Sequence, residues 1–172
     1  MDIGRTVFEH EFPRRKLDAA TFGTMGIGLP AVVSARTCNP ELWCVAVMGD
    51  SAFGFSAMEC ETLTRYQLGA TIFIINNNGI YSGTDELEGD PLSYGVTHLN
   101  PDAKYQVIAE AFGGKGFEAK NKQDLDKICT EIFSSEENKK KLFIINVRIQ
   151  PSSAKKPQEN EWLTRKSPPP KL

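Results

Sequence analysis

Asp50 and Asn77 are the residues best placed by type and spacing to do chemistry. Asp50 sits in Gly49-Asp50-Ser51, directly after an apolar run, and Asn77 sits in Asn76-Asn77-Asn78-Gly79, directly after a second one. A carboxylate, amide oxygens and a backbone carbonyl make a hard-oxygen set. Mg2+ takes such ligands and completes its octahedron with phosphate oxygens and water. Gly49, Ser51, Ala52 and Gly54 are small, so the backbone can approach a ligand closely. A helix after Asp50 would turn its free N–H groups toward a phosphate. Taken singly, a Gly-Asp pair is a turn and an Asn-rich run is loop chemistry. Together, at the ends of two neighbouring apolar runs, they become a candidate site.

Stepping outward, residues 42–48 form a continuous apolar run with valines, suited to a strand buried on both faces. Residues 71–75 read as a second buried strand, and residues 142–149 as a third. Between the first two, residues 56–66 carry Met58, Thr62 and Leu63 at helical spacing. Ser56 followed by Glu59 has the form of a capping box, and Gly69 can close the helix in a left-handed conformation. Strand, helix, strand in that order implies parallel strands joined by a crossover. Parallel strands bring Asp50 and Asn77 to the same carboxyl edge of a sheet, where open α/β sheets bind ligands.

The rest of the chain supplies supporting elements. Residues 1–17 read as a short helix and a loop, and residues 26–35 as a buried helix with Pro30 tolerated in its first turn. Residues 81–99 are the longest irregular stretch, a length that suits a working loop. Residues 105–112 are helical, with Val107, Ile108, Ala111 and Phe112 as the apolar stripe. Residues 117–119 suggest a short strand. Residues 124–133 are amphipathic, with Leu125, Ile128, Cys129 and Ile132 on one face. The expected fold is therefore α/β, a doubly wound, mostly parallel sheet with helices on both faces. Residues 1–150 form that domain, and residues 151–172 form a proline-rich basic tail with five prolines.

Composition excludes several classes. The chain has 172 residues, 40% of them hydrophobic, and a net charge of -2, which argues against a general nucleic-acid binder. No apolar run reaches the roughly 20 residues needed to span a bilayer, and the first residues carry no signal-peptide pattern. Cys38, Cys44, Cys60 and Cys129 are far apart, without a C-x-x-C pair or a nearby histidine, so they read as reduced, mostly buried thiols. His10 and His98 sit in polar surroundings and read as solvated side chains. Residues 26–31 fit G-x-G-x-x-A, but no strand pattern precedes them, so a dinucleotide site is discounted. A generic doubly wound nucleotide binder and a non-catalytic binding or subunit-pairing module remain open on these residues alone.

Gly49-Asp50-Ser51, 24 intervening residues and Asn76-Asn77 resemble the signature of thiamine-diphosphate enzymes, in which GDG is followed at this spacing by NN. Ser51 replaces the usual third glycine. With GDSAFGFSAMECET, NNNGIY, AFGGKGF, MDIGR and LDAATFGTMGIGLP, that exchange resembles the subgroup acting on acyl-CoA thioesters, the 2-hydroxyacyl-CoA lyases and oxalyl-CoA decarboxylases. The likeness runs from Met1 to about Arg165. Residues 76–81 and 162–165 lean toward the lyases, and residues 82–85 lean slightly toward the decarboxylases.

The resemblance implies roles. Asp50 and Asn77 would hold Mg2+ through side chains, and Gly79 through its carbonyl. Gly49 belongs to the same motif, and Ser51, Ala52, Ile80 and Tyr81 would meet the diphosphate of thiamine diphosphate. Gly23 and Met25 would receive the aminopyrimidine, with Met25 propping the bent cofactor. The implied substrate is a 2-hydroxyacyl-CoA or oxalyl-CoA. The implied partner is a pyrimidine-binding domain of the same family within a homo-oligomer. The glutamate that activates the cofactor belongs to that other domain, and Glu59 and Glu61 are simply helix residues. The chain thus resembles the C-terminal third of a longer enzyme and alone is not expected to catalyse. Pro170-Lys171-Leu172 resembles the peroxisomal S-K-L ending, which would imply an import receptor as partner; the alternative location is the cytoplasm.

Overall fold

The computed structural model describes residues 2–9, 11–81, 83–84 and 88–151. Helix α1 (Asp2–Val7) leads into an irregular segment and then α2 (Gly28–Cys38), with Pro30 in its first turn as expected. Strand β1 (Val45–Gly49) runs directly into α3 (Asp50–Gly54), and α4 (Glu59–Arg65) precedes β2 (Ala70–Asn76). After a long irregular stretch come α5 (Val107–Ala111), β3 (Lys115–Ala119), α6 (Lys122–Phe133) and β4 (Leu142–Arg148). The sheet order is β1-β2-β4-β3, and every neighbouring pair is parallel. The expected α/β architecture is present.

The pleat divides the core into two. On one face Ala46, Ile72, Ile74, Leu142 and Ile144 pack with Leu29 and Val32 of α2, Phe53 of α3, Cys60 and Leu63 of α4 and Ala109 of α5. On the other face Phe143 and Ile145 pack with Ile128 and Ile132 of α6. Each Val, Leu, Ile or Phe side chain among them, fully buried, contributes about 1.5–3 kcal/mol. The amphipathic helix read from the sequence is α6, capped by Asn121, whose side chain accepts from the Asp124 N–H at 2.9 Å.

Four expectations need correction. The first strand is not buried on both faces. It is the sheet's edge, α6 covers the far side of the sheet instead, and Val45 and Val47 are left about half exposed. The helix after Gly-Asp-Ser begins at Asp50 itself and is broken by a turn before α4. No capping box forms there: Ser56 lies in that turn, its carbonyl accepts from the Glu59 N–H at 2.9 Å, and its hydroxyl has no partner. In α5 the fully buried residue is Ala109, while Val107 is exposed, because only one side of this short helix meets the sheet. The four cysteines are free as expected, but only Cys60 is fully buried and Cys38 is exposed. Burial pushes the Cys60 thiol up to about 12.

Arg36 fixes the frame from which β1 and β2 start. Its side chain is 2% exposed, and its guanidinium donates to the carbonyls of Leu68, Leu42, Pro40 and Asn39. One cation thereby ties the end of α2 to the approaches of both strands. Gly69, at φ +63°, closes the turn before β2, and a Cβ there would lie 2.3 Å from the Lys140 carbonyl carbon. The left-handed cap expected at this glycine is thus also a close backbone approach that no side chain permits.

Candidate diphosphate and metal site

β1 and β2 are neighbours in register, with Gly49 opposite Ile75, so their carboxyl ends deliver Asp50 and residues 76–79 side by side. Asp50 is 2% exposed. Its Oδ1 accepts from the Ser51 N–H at 2.8 Å and its Oδ2 from the Gly79 N–H at 3.0 Å. The second bond joins the two halves of the motif directly. Burial pushes the Asp50 carboxyl above its usual value, and the Ser51 and Gly79 N–H groups oppose that shift. The ion pairs of the described residues all lie elsewhere, so among those residues no basic side chain pairs with this carboxylate.

The loop after β2 is tightly wound. Asn78 and Tyr81 adopt left-handed backbone conformations, at φ +63° and +62°. Asn77 donates through Nδ2 to the Tyr81 carbonyl at 3.0 Å, and its own carbonyl accepts from the Thr84 N–H at 2.9 Å. Gly79 pairs with His98 in an antiparallel bridge, flanked by Ile80 N–H to Thr97 and Leu99 N–H to Asn78. The long irregular stretch thus returns to brace the site. His98 contributes backbone there, and its side chain is exposed, in line with a solvated histidine. His10 lies outside the described residues, as does the tail beyond residue 151.

The donor set fits a hard cation. A buried carboxylate without a counter-charge is costly, and a cation would offset that cost. Two side-chain oxygens of the loop after β2, Asn78 Oδ1 and Thr84 Oγ1, are buried without a partner. Among the described residues no group of three or more His, Cys, Asp or Glu gathers to hold a metal. One carboxylate with amide and carbonyl oxygens suits Mg2+ shared with phosphate better than it suits Zn2+.

The remaining predicted residues lie around this centre. Ser51 and Ala52 form the first turn of α3, although the Ser51 N–H is occupied by Asp50 rather than left free for phosphate. Ile80 is braced by Thr97, and Tyr81 is largely exposed. Gly23 and Met25 are exposed in the segment before α2, which meets the far end of α3 through Gly26: a Cβ on Gly26 would lie 2.8 Å from the Phe55 Cβ. No strand precedes α2 among the described residues, consistent with discounting a dinucleotide site.

Residues 2–147 match the family model described as "Thiamine pyrophosphate enzyme, C-terminal TPP binding domain". The chain belongs to this family. It is 40% identical over 177 residues to 2-hydroxyacyl-CoA lyase 1 of Homo sapiens, covering 96% of this chain and 30% of that protein. It is 45% identical over 159 residues to the 2-hydroxyacyl-CoA lyase of Oryza sativa subsp. japonica, covering 88% and 26%. Oxalyl-CoA decarboxylase of Escherichia coli (strain K12) is 36% identical over 168 residues, covering 98% and 28%. The chain therefore spans less than a third of the length of these curated relatives. Among the described residues no helix is long and apolar enough to cross a membrane.

Sequence reasoning passed over Gln106, Asn146 and Thr84. Asn146 did carry a signal: an amide inside the apolar strand LFIINVR must find partners when buried. Thr84 carried none, because its burial depends on how the long loop folds back.

Proposed function

We propose that this chain is the diphosphate- and Mg2+-holding part of a thiamine-diphosphate-dependent 2-hydroxyacyl-CoA lyase, which cleaves the C1–C2 bond to give formyl-CoA and an aldehyde. The observation that carries the proposal is the Asp50–Gly79 bond, which joins both halves of the motif around a buried, unbalanced carboxylate. Asp50, Asn77 and the Gly79 carbonyl would hold Mg2+. Gly49, Ser51, Ala52, Ile80 and Tyr81 would line the diphosphate, and Gly23 and Met25 would meet the aminopyrimidine. Thiamine diphosphate, when bound, supplies the electron sink for carbon–carbon cleavage beside a carbonyl. A pyrimidine-binding domain of the same family, in a homo-oligomer, would contribute the activating glutamate.

Oxalyl-CoA decarboxylase is the second candidate, favoured by a match over 98% of the chain. Both candidates act on CoA thioesters, and the lyase is preferred for its higher identities of 40% and 45%. A peroxisomal location through Pro170-Lys171-Leu172 belongs to the same proposal; a fluorescent fusion with a free C-terminus that stays in the cytosol would contradict it. Calorimetry tests the cofactor. Thiamine diphosphate should bind only with Mg2+ present, and ATP and NAD should not compete. Binding of ATP without binding of thiamine diphosphate would overturn the assignment.

A further inference from the structure

Asn146 lies in the middle of β4, fully buried, on the sheet face shared with Asn76. Three hydrogen bonds run in line from it and through it. The Asn78 N–H donates to Asn76 Oδ1 at 3.0 Å, Asn76 Nδ2 donates to Asn146 Oδ1 at 3.0 Å, and Asn146 Nδ2 donates to Gln106 Oε1 at 3.1 Å. The polarity of the whole line is forced. A backbone N–H can only donate, so Asn76 must present its oxygen to Asn78 and its NH2 to Asn146. Asn146 must then present its oxygen to Asn76 and its NH2 to Gln106. Each amide has one orientation, set by the turn at one end and by Gln106 at the other.

The line ends at a left-handed turn. Asn78 holds φ +63°, in the left-handed region that asparagine adopts more readily than most side-chain-bearing residues and that its surroundings here fix. Its neighbours on either side are Asn77 and Gly79, and Gly79 donates to Asp50. The bend at Asn78 therefore decides where the Asn77 amide and the Gly79 carbonyl lie relative to the carboxylate.

We propose that Asn146 is a positioning residue for the metal. It locks the Asn76 amide, which holds Asn78 in its left-handed bend and so sets the two oxygen donors contributed by Asn77 and Gly79. The proposal rests on the Mg2+ and diphosphate assignment made above.

The test is Mg2+ titration of the 172-residue chain in excess thiamine diphosphate, read by calorimetry, with the electron paramagnetic resonance line shape of bound Mn2+ as a second readout. Asn146→Leu removes both bonds and should weaken Mg2+ about 10-fold, the lower end of the effect of losing an outer partner of a metal ligand. Asn146→Asp keeps the oxygen facing Asn76 and should restore most of the affinity and the wild-type Mn2+ line shape. A purely structural Asn146 would change the unfolding temperature but neither of these readouts. Wild-type Mg2+ affinity in folded Asn146→Leu, or no recovery in Asn146→Asp, would overturn the proposal. If Asn146→Leu does not fold, Asn146→Ala replaces it; it also removes the bond to Asn76, and unchanged Mg2+ affinity there would overturn the proposal too. Failure of the wild-type chain to bind Mg2+ with thiamine diphosphate would instead remove the site assignment itself, and this proposal with it.

Discussion

Arg36 and Asp50 are each 2% exposed, yet their surroundings are opposites. The Arg36 guanidinium donates through Nε and Nη1 to four backbone carbonyls, so its partners are all main chain. Asp50 accepts from two backbone N–H groups, forms no ion pair among the described residues, and is bonded to Gly79 of a loop in which two buried side-chain oxygens lack partners. Both charges sit at the margins of the same two strands, Arg36 where the chain enters them and Asp50 where it leaves. The closed cluster builds the frame; the open one is incomplete in the way a ligand site is before its ligand arrives. Buried polar groups are normally satisfied, so the shortfall in the loop bonded to Asp50 is informative, while the main-chain partners of Arg36 mark a structural role.

The sharpest way to break this contrast is to exchange the charge at Asp50. Asp50→Asn should lose Mg2+-dependent binding of thiamine diphosphate by more than the roughly 10–100-fold expected for an outer partner. Calorimetry that finds less would remove Asp50 from the metal site. The same variant carries a pH signature in metal-free protein. Burial raises the folded carboxyl above its unfolded value of 3.8, so the folded state holds the extra proton. The Asp50 contribution is then fully present below the unfolded value and is lost as pH rises through the folded one. Wild-type stability in EDTA should carry that downward component above pH 3.8, and Asp50→Asn should lack it. Identical pH profiles for the two proteins would mean that the carboxylate is not strained by burial.

Arg36→Met should show the opposite pattern. Stranding several carbonyls costs about 1–3 kcal/mol each before water relieves some of them. A net loss of about 3 kcal/mol would lower Tm by about 6–12 °C in a chain of this size. In protein still folded, Mg2+ affinity should stay close to wild type. A large loss of affinity at unchanged Tm would show that the frame and the site are not separable.

Much of this was legible in the sequence because it depends on local pattern. The apolar runs gave β2 and β4, the 3.6-residue spacing of Leu125, Ile128 and Ile132 gave α6, and parallel strands with Asp50 and Asn77 at their ends gave the site. What stayed hidden depends on tertiary placement. The valines of β1 look the same whether the strand is central or at an edge, and only the sheet order decides. Ser56 and Glu59 have capping spacing, but α3 had already claimed the start of the helix. Arg36 reads as an ordinary surface residue of α2 until two separate segments, residues 39–42 and Leu68, supply its carbonyls. The link from Asn76 to Asn146 spans 70 positions, so no local window contains it.

The smallest expected effect is at Thr84, and it sharpens the comparison most finely. Its hydroxyl is buried without a partner, and Thr84 Oγ1 would lie 2.9 Å from a Cβ placed on Gly79, so it sits against the metal loop itself. Thr84→Val keeps the shape and removes the oxygen. Deleting a group that makes no hydrogen bond should leave metal-free protein unchanged or more stable by up to about 1 kcal/mol, measured by urea unfolding. The equivalent removal around Arg36 has the reverse sign, because there four backbone carbonyls lose a donor. If Thr84→Val instead destabilises the metal-free protein by about 1 kcal/mol or more, the hydroxyl is already satisfied, and the Asp50 cluster is as closed as the Arg36 one.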